Sequence, residues 1–244
     1  MDLLIEHEKY LEAGVHIGTR IATKDIQPFI YKYRKDKLCM LNIEQVDMRI
    51  RDAAQFLAQN DTSNMVIVAS RVYAIPAAKK FAEIIGAKVH LGRFIPGSFT
   101  NPALSSFVEP TLVFVCDPRI EKQALIEATQ LGIPTIGLVD SDNVIRYLDF
   151  FIPCNNKGKK SIPLVFYLLT REFMKAKGQI SSNEEFKYSI SDFGYEEGEG
   201  TLEAGESQEA ESEAEGSSEI EGKAELTELE DTDVEESDEE SEEE

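Results

Sequence analysis

Met65-Val66-Ile67-Val68-Ala69 is an unbroken apolar run. A strand wetted on one face alternates apolar and polar residues. A run without polar interruption needs cover on both faces, which is the condition of a strand inside a parallel sheet. Thr111-Leu112-Val113-Phe114-Val115-Cys116 and Thr135-Ile136-Gly137-Leu138-Val139 repeat the pattern, with Lys88-Val89-His90-Leu91 and Phe150-Phe151-Ile152 as shorter strands.

The intervening segments carry helix punctuation. Asn42 and Gln45 suggest a capping box for a helix over 43–58. A helix beginning near Ala74–Pro76 stops at Gly86. Asp117-Pro118 reads as an N-cap followed by proline at the first helical position, and Gly132 and Pro134 close that helix. Ser161 opens a last helix, ended by Gly178, with Ile162, Val165, Leu168, Leu169 and Phe173 along its buried side. Alternating strands and helices predict an α/β fold with a parallel sheet and helices on both faces. This domain is expected over 44–180. Residues 1–43 differ: a helix over Leu3–Ala13 leads to Phe29-Ile30-Tyr31-Lys32-Tyr33, a charged turn and Leu38-Cys39-Met40-Leu41, which predicts a β-hairpin with a basic tip.

The net charge of −21 hides a split. Residues 1–180 carry +4 and residues 181–244 carry −25. The acidic segment has few large apolar residues to offset the entropy of ordering its backbone, so 181–244 is expected to be a disordered tail. Cys39, Cys116 and Cys154 form no C-x-x-C pair and no even framework. With no basic-plus-apolar leader and no run of about 18 apolar residues, the reading is a reduced, cytosolic chain.

A sheet of this kind invites an enzyme reading, and the required motifs fail. After Ala69 the chain continues Ser70-Arg71-Val72-Tyr73-Ala74-Ile75-Pro76, with no glycine to admit a pyrophosphate. Gly92 and Gly97 have P-loop spacing, but Ser98 stands where the phosphate-binding lysine belongs. Asp117, Asp140 and Asp142 follow strand ends and could together hold magnesium, the basis of an alternative reading as a nucleotide- or Mg-dependent enzyme. Helix-capping and turn roles explain them better. No serine or cysteine has a nucleophile's setting, and no catalytic residue, cofactor or metal is assigned.

The positive candidates are basic and lie in loops. Arg20 and Lys24 follow Gly14-Val15-His16-Ile17-Gly18, where the glycines Gly14 and Gly18 permit close approach around His16. Arg34, Lys35 and Lys37 crown the hairpin. Arg93 opens the loop Gly92-Arg93-Phe94-Ile95-Pro96-Gly97-Ser98-Phe99-Thr100-Asn101-Pro102, which brings no acid, base or metal ligand and is read as a binding loop with exposed aromatics. Asn155, Asn156, Lys157, Lys159 and Lys160 precede the last helix. Cations neutralise phosphates, and the glycines, Pro96, Thr100 and the asparagines supply close approach and donors, which together suit an RNA backbone. Nothing within the chain visibly anchors loops 15–27 and 92–110.

These residues fall into segments that resemble a known family. Leu11-Glu12-Ala13-Gly14-Val15-His16-Ile17-Gly18, Pro28-Phe29-Ile30-Tyr31-Lys32, Gly92–Gly97 with Thr100-Asn101, Cys116-Asp117-Pro118-Arg119, Gly132–Asp140 and Ile152–Lys157 run in the order found in the universal second protein of the small ribosomal subunit, in its archaeal and eukaryotic, laminin-receptor-like form. The resemblance implies a flavodoxin-like three-layer domain preceded by a helix and hairpin. It implies binding to small-subunit ribosomal RNA and neighbouring ribosomal proteins, no catalysis, and neither a membrane nor a DNA partner. Bacterial members carry a long helical hairpin inserted in the domain. Here Asn60-Asp61-Thr62-Ser63-Asn64 passes directly from helix to strand, so contacts made through that insertion do not carry over. Relatives often place glycine after the aspartate of the hairpin tip, where this chain has Lys37.

Overall fold

The computed structural model describes residues 3–195. Helix α1 (His7–Ala13) ends at Gly14, whose φ of +67° supplies the left-handed cap that glycine adopts without a steric penalty. Residues 16–19 then run beside β2 (Cys39–Leu41), which also pairs antiparallel with β1 (Ile30–Tyr33). Leu41 N donates to His16 O at 2.7 Å, Gly18 N to Cys39 O at 2.8 Å and Cys39 N to Thr19 O at 2.9 Å.

Helix α2 (Ile43–Gln59) starts on Asn42, whose side chain accepts the Glu44 amide at 3.0 Å. The expected box is one-sided, because Gln45 Oε1 is buried without a partner. There follow β3 (Met65–Ala69), α3 (Ala74–Ile85), β4 (Lys88–Leu91), β5 (Leu112–Val115), α4 (Lys122–Gln130), β6 (Thr135–Val139), β7 (Phe150–Pro153) and α5 (Ser161–Ala176). Helix α4 begins later than expected. Asp117 accepts the Arg119 amide at 2.9 Å within a separate turn, and Glu121 occupies the N-cap.

The five parallel strands lie in the order β4-β3-β5-β6-β7. Counted from β3 this is 2-1-3-4-5, the flavodoxin-like order, and it places a topological switch point between β3 and β5. The two faces are covered unequally. Met65, Ile67, Leu112, Phe114 and Ile136 pack against α2, α3 and α5. Val66, Val68, Val113 and Val115 meet α4 and the loop residues Phe94 and Phe99. One helix cannot cover that second face alone. The loop after β4 therefore serves as the rest of the layer, and its aromatics are buried rather than exposed.

The chain also stays folded past residue 180. Short 3₁₀ turns at Asn183–Glu185 and Ile190–Phe193 bring Phe186 and Phe193 onto Tyr167 of α5, at centroid distances of 5.3 and 6.1 Å. Both phenylalanines are buried. A composition averaged over 181–244 masks the apolar residues Phe186, Tyr188, Ile190, Phe193 and Tyr195 at its start. The remainder of the expected tail, 196–244, lies outside the described residues.

Candidate functional site

Flavodoxin-like folds bind ligands in the crevice beyond the carboxyl ends of the strands at the switch point. In this chain a side chain from α4's cap fills it. Glu121 is fully buried. Its Oε1 accepts the Ser70 amide, just past β3, at 2.8 Å, and its Oε2 accepts the amides of Cys116 and Asp117, just past β5, at 2.7 and 3.0 Å. These are the backbone donors that would otherwise face an anion. Burial pushes the Glu121 carboxyl up to about 8, with the three amides pulling the other way. Asp117 beside it is paired with Arg71, whose Nε donates to Oδ2 at 2.7 Å.

The remaining carboxyl-edge aspartates are also committed. Lys157 Nζ donates to both oxygens of Asp142 at 2.8 Å and lies 3.1 Å from Asp140 Oδ2. Burial raises the Asp140 carboxyl above its ordinary value and the Lys157 ammonium draws it back. Asn143 links the groups, accepting the Asp140 amide at 2.8 Å and donating to Asp117 Oδ1 at 3.3 Å. The three aspartates thus do not converge on a shared cavity. Each balances a cation or a backbone amide.

Several sequence candidates belong to this internal lattice. Asn156 is buried, donating to Leu138 O and Asn143 Oδ1, each at 3.0 Å. Asn155 donates to Gly14 O at 3.2 Å and accepts the amides of Lys157 and Gly158 at 3.0 Å. Gly18 packs so closely that a Cβ there would stand 2.7 Å from Ser141 Oγ and 3.2 Å from Cys39 O. Thr19 N donates to Ser141 Oγ at 2.7 Å and Thr23 N to Ser141 O at 2.9 Å. The segment expected to lack anchors is therefore tied to the ends of β6 and β7. His16 is buried on the floor of a groove between α1 and the hairpin; burial lowers its pKa, and its Nδ1 has no hydrogen-bond partner.

The loop after β4 has an anchor too. Buried Glu127 of α4 accepts Gly97 N at 2.7 Å and Phe99 N at 3.1 Å, while Phe94 packs edge-on against Phe99 at 4.9 Å. Gly97 takes φ +90°, and a Cβ would meet Leu104 at 3.0 Å. Arg93, Pro96, Thr100 and Asn101 remain exposed.

Arg20, Lys24, Arg34, Lys35, Lys37 and Lys159 are exposed as well, and Lys160 is half-buried, 4.0 Å from Glu12. Lys37 sits at φ +63° in a tip closed by Lys37 N to Arg34 O and Arg34 N to Leu38 O, both 2.9 Å. That is the turn followed by a left-handed residue for which glycine is favoured, so a lysine here accepts strain and adds charge at the tip. Because the strands are parallel, Arg93, Lys159 and the segment carrying Arg20 and Lys24 all leave from the same carboxyl edge of the sheet.

The structural carboxylates Glu121 and Glu127 were not among the residues expected from the sequence, and neither were two surface features. Tyr31 is 71% and Tyr33 58% exposed on β1, interleaved with Lys32 and followed by Arg34. Arg119, Lys122 and Arg146 gather beyond α4's first turn. A basic residue beside an aromatic, as in Arg146-Tyr147, was the available signal for the second.

A parallel α/β domain whose ligand crevice is filled by its own glutamate, and whose exposed cations surround it on loops, is a binding scaffold. The profile of the family described as ribosomal protein S2 matches residues 10–106 and 104–176. Similar chains are the small ribosomal subunit protein uS2 of Thermofilum pendens, 46% identical over 78% of this chain and 89% of that protein, and of Staphylothermus marinus, 44% identical over 79% and 88%. The same protein of Methanococcus maripaludis strain C6 is 43% identical over 79% and 86%. The chain belongs to the ribosomal protein S2 family, in its archaeal and eukaryotic form. It is a ribosomal protein and not an enzyme. Among the described residues no helix is long and apolar enough to cross a membrane.

Proposed function

We propose that this chain is a structural constituent of the small ribosomal subunit, binding its RNA and neighbouring ribosomal proteins during assembly and translation in the cytoplasm. The observation that carries the reading is the surplus of exposed cations at the hairpin tip, Arg34, Lys35 and Lys37, against a single aspartate, Asp36. Arg20, Lys24, Arg93, Lys159 and Lys160 extend the surface from the carboxyl edge. Thr100 and Asn101 offer polar groups to phosphate or 2′-hydroxyl oxygens. Gly14, His16, Gly18, Asn155, Asn156 and Lys157 act from behind, fixing the backbone that presents the cations. Exposed Tyr31 and Tyr33 suit base stacking or docking of a protein neighbour.

The test is equilibrium binding of the full chain to small-subunit ribosomal RNA across a salt series. The expected slope of log affinity against log salt is about −0.7 to −0.9 per neutralised phosphate. A flat salt response, or failure of the chain to copurify with small-subunit particles at moderate salt, overturns the reading.

A further inference from the structure

A cleft of about 360 Å³ opens between the start of α4 and loop 142–147. Arg119 and Lys122 line it from the entry to α4 and Arg146 from the loop after β6, and the carboxylate among them is Asp142. That carboxylate is already engaged, with both oxygens on Lys157 Nζ at 2.8 Å, and Arg119 reaches it only at 3.4 Å with 71% of its side chain exposed. Lys122 and Arg146 form no ion pair with a described residue. The cleft therefore carries cations that the fold does not neutralise.

The site is also held in place. The Arg146 guanidinium lies 4.9 Å over the Tyr147 ring, an arrangement that fixes a planar fork. Tyr147 has φ +73°, and its carbonyl accepts the Thr135 hydroxyl at 2.8 Å, so the loop is pinned to the start of β6. The first turn of α4 adds the positive end of a helix dipole beside Lys122. Two guanidinium forks, an ammonium and a helix start match the oxygens of a phosphate. We propose that this cleft holds a backbone phosphate of the RNA, with Arg119 and Arg146 as hydrogen-bonding forks and Lys122 as a point charge. The assignment rests on the RNA-binding function proposed above and adds a contact separate from the hairpin.

The experiment compares three full-length proteins binding small-subunit ribosomal RNA across salt: wild type, Arg119→Gln/Lys122→Gln/Arg146→Gln, and Arg34→Gln/Lys35→Gln/Lys37→Gln. The expected result is a cleft variant with an unchanged thermal midpoint in the absence of RNA and a salt slope shallower by about 0.7 to 0.9, the share of one neutralised phosphate. Arg146→Lys keeps the charge but not the fork. It is expected to retain the slope and lose affinity several-fold, and it serves as the readout if the triple variant does not fold. A cleft variant with the wild-type slope beside a hairpin variant with a reduced one overturns this site and leaves the RNA function standing. Absence of salt-dependent RNA binding by the wild type overturns both. In a parallel arm with inorganic phosphate alone, a wild-type thermal shift lost in the cleft variant, with RNA binding unaffected, overturns the RNA assignment in favour of a free anion.

Discussion

At the crevice between β3 and β5, Glu121, Asp117 and Arg71 are joined to one another's backbone or side chains at hydrogen-bonding distance. At the hairpin tip, Arg34, Lys35, Asp36 and Lys37 are all exposed and share one ion pair, Arg34 to Asp36 at 3.3 Å. The same residue types thus have opposite fates. In the crevice the protein supplies both the carboxyl group and its amide donors, so no ligand is needed there. At the tip, charge is left for water or for something outside the molecule to neutralise. A fold whose relatives elsewhere use the switch point for ligands has here become a rigid mount for peripheral cations.

Glu121 is the residue whose loss should most disturb the crevice and leave the hairpin tip intact. Glu121→Gln turns one accepting oxygen into a donor facing backbone amides and is expected to cost about 2–3 kcal/mol, read from urea unfolding. The same variant sharpens the pH behaviour. Between about pH 4.5 and 8 the unfolded chain gives up the Glu121 proton while the fold retains it. This residue's contribution is therefore full below 4.5 and lost as pH rises through 8. The stability difference between pH 5 and pH 8.5 should shrink in Glu121→Gln; an unchanged difference would show that the carboxylate is ionised throughout.

Gly18→Ala tests the mount between the two regions. Its Cβ would crowd Ser141 and the Cys39 carbonyl, so the expected cost is about 2 kcal/mol, visible as a lower thermal midpoint. Lys37→Gly should act the other way, relieving the left-handed strain and stabilising the hairpin by up to about 1 kcal/mol while removing one charge. The smallest effect on stability belongs to Arg34→Gln/Lys35→Gln/Lys37→Gln, within about 0.5 kcal/mol, although RNA binding should weaken clearly. A large loss of stability there would mean that the tip is structural and the contrast false.

The strands were legible because a segment buried on both faces leaves an uninterrupted apolar signature, as in Met65–Ala69 and Leu112–Val115. Glycine and asparagine at helix ends were legible because left-handed caps and N-caps are local chemistry, as at Gly86 and Asn42. The basic hairpin was legible for the same reason. Phe94 and Phe99 were misread because a loop's burial depends on how many helices reach the sheet face beneath it. Lys157 and Asn156 looked like surface binders because their partners Asp140, Asp142 and Asn143 lie at a different strand end. Residues 183–193 were lost in a composition dominated by the acidic stretch that follows.

The amino-acid order alone determined a parallel α/β domain behind a basic hairpin, because element type and charge content follow from short-range periodicity and residue chemistry. Only the tertiary structure decided which charges are spent internally and which remain for a partner. A glutamate becomes a crevice filler, and a lysine a strut, through neighbours brought together by the sheet order, and that neighbourhood has no local trace in the chain.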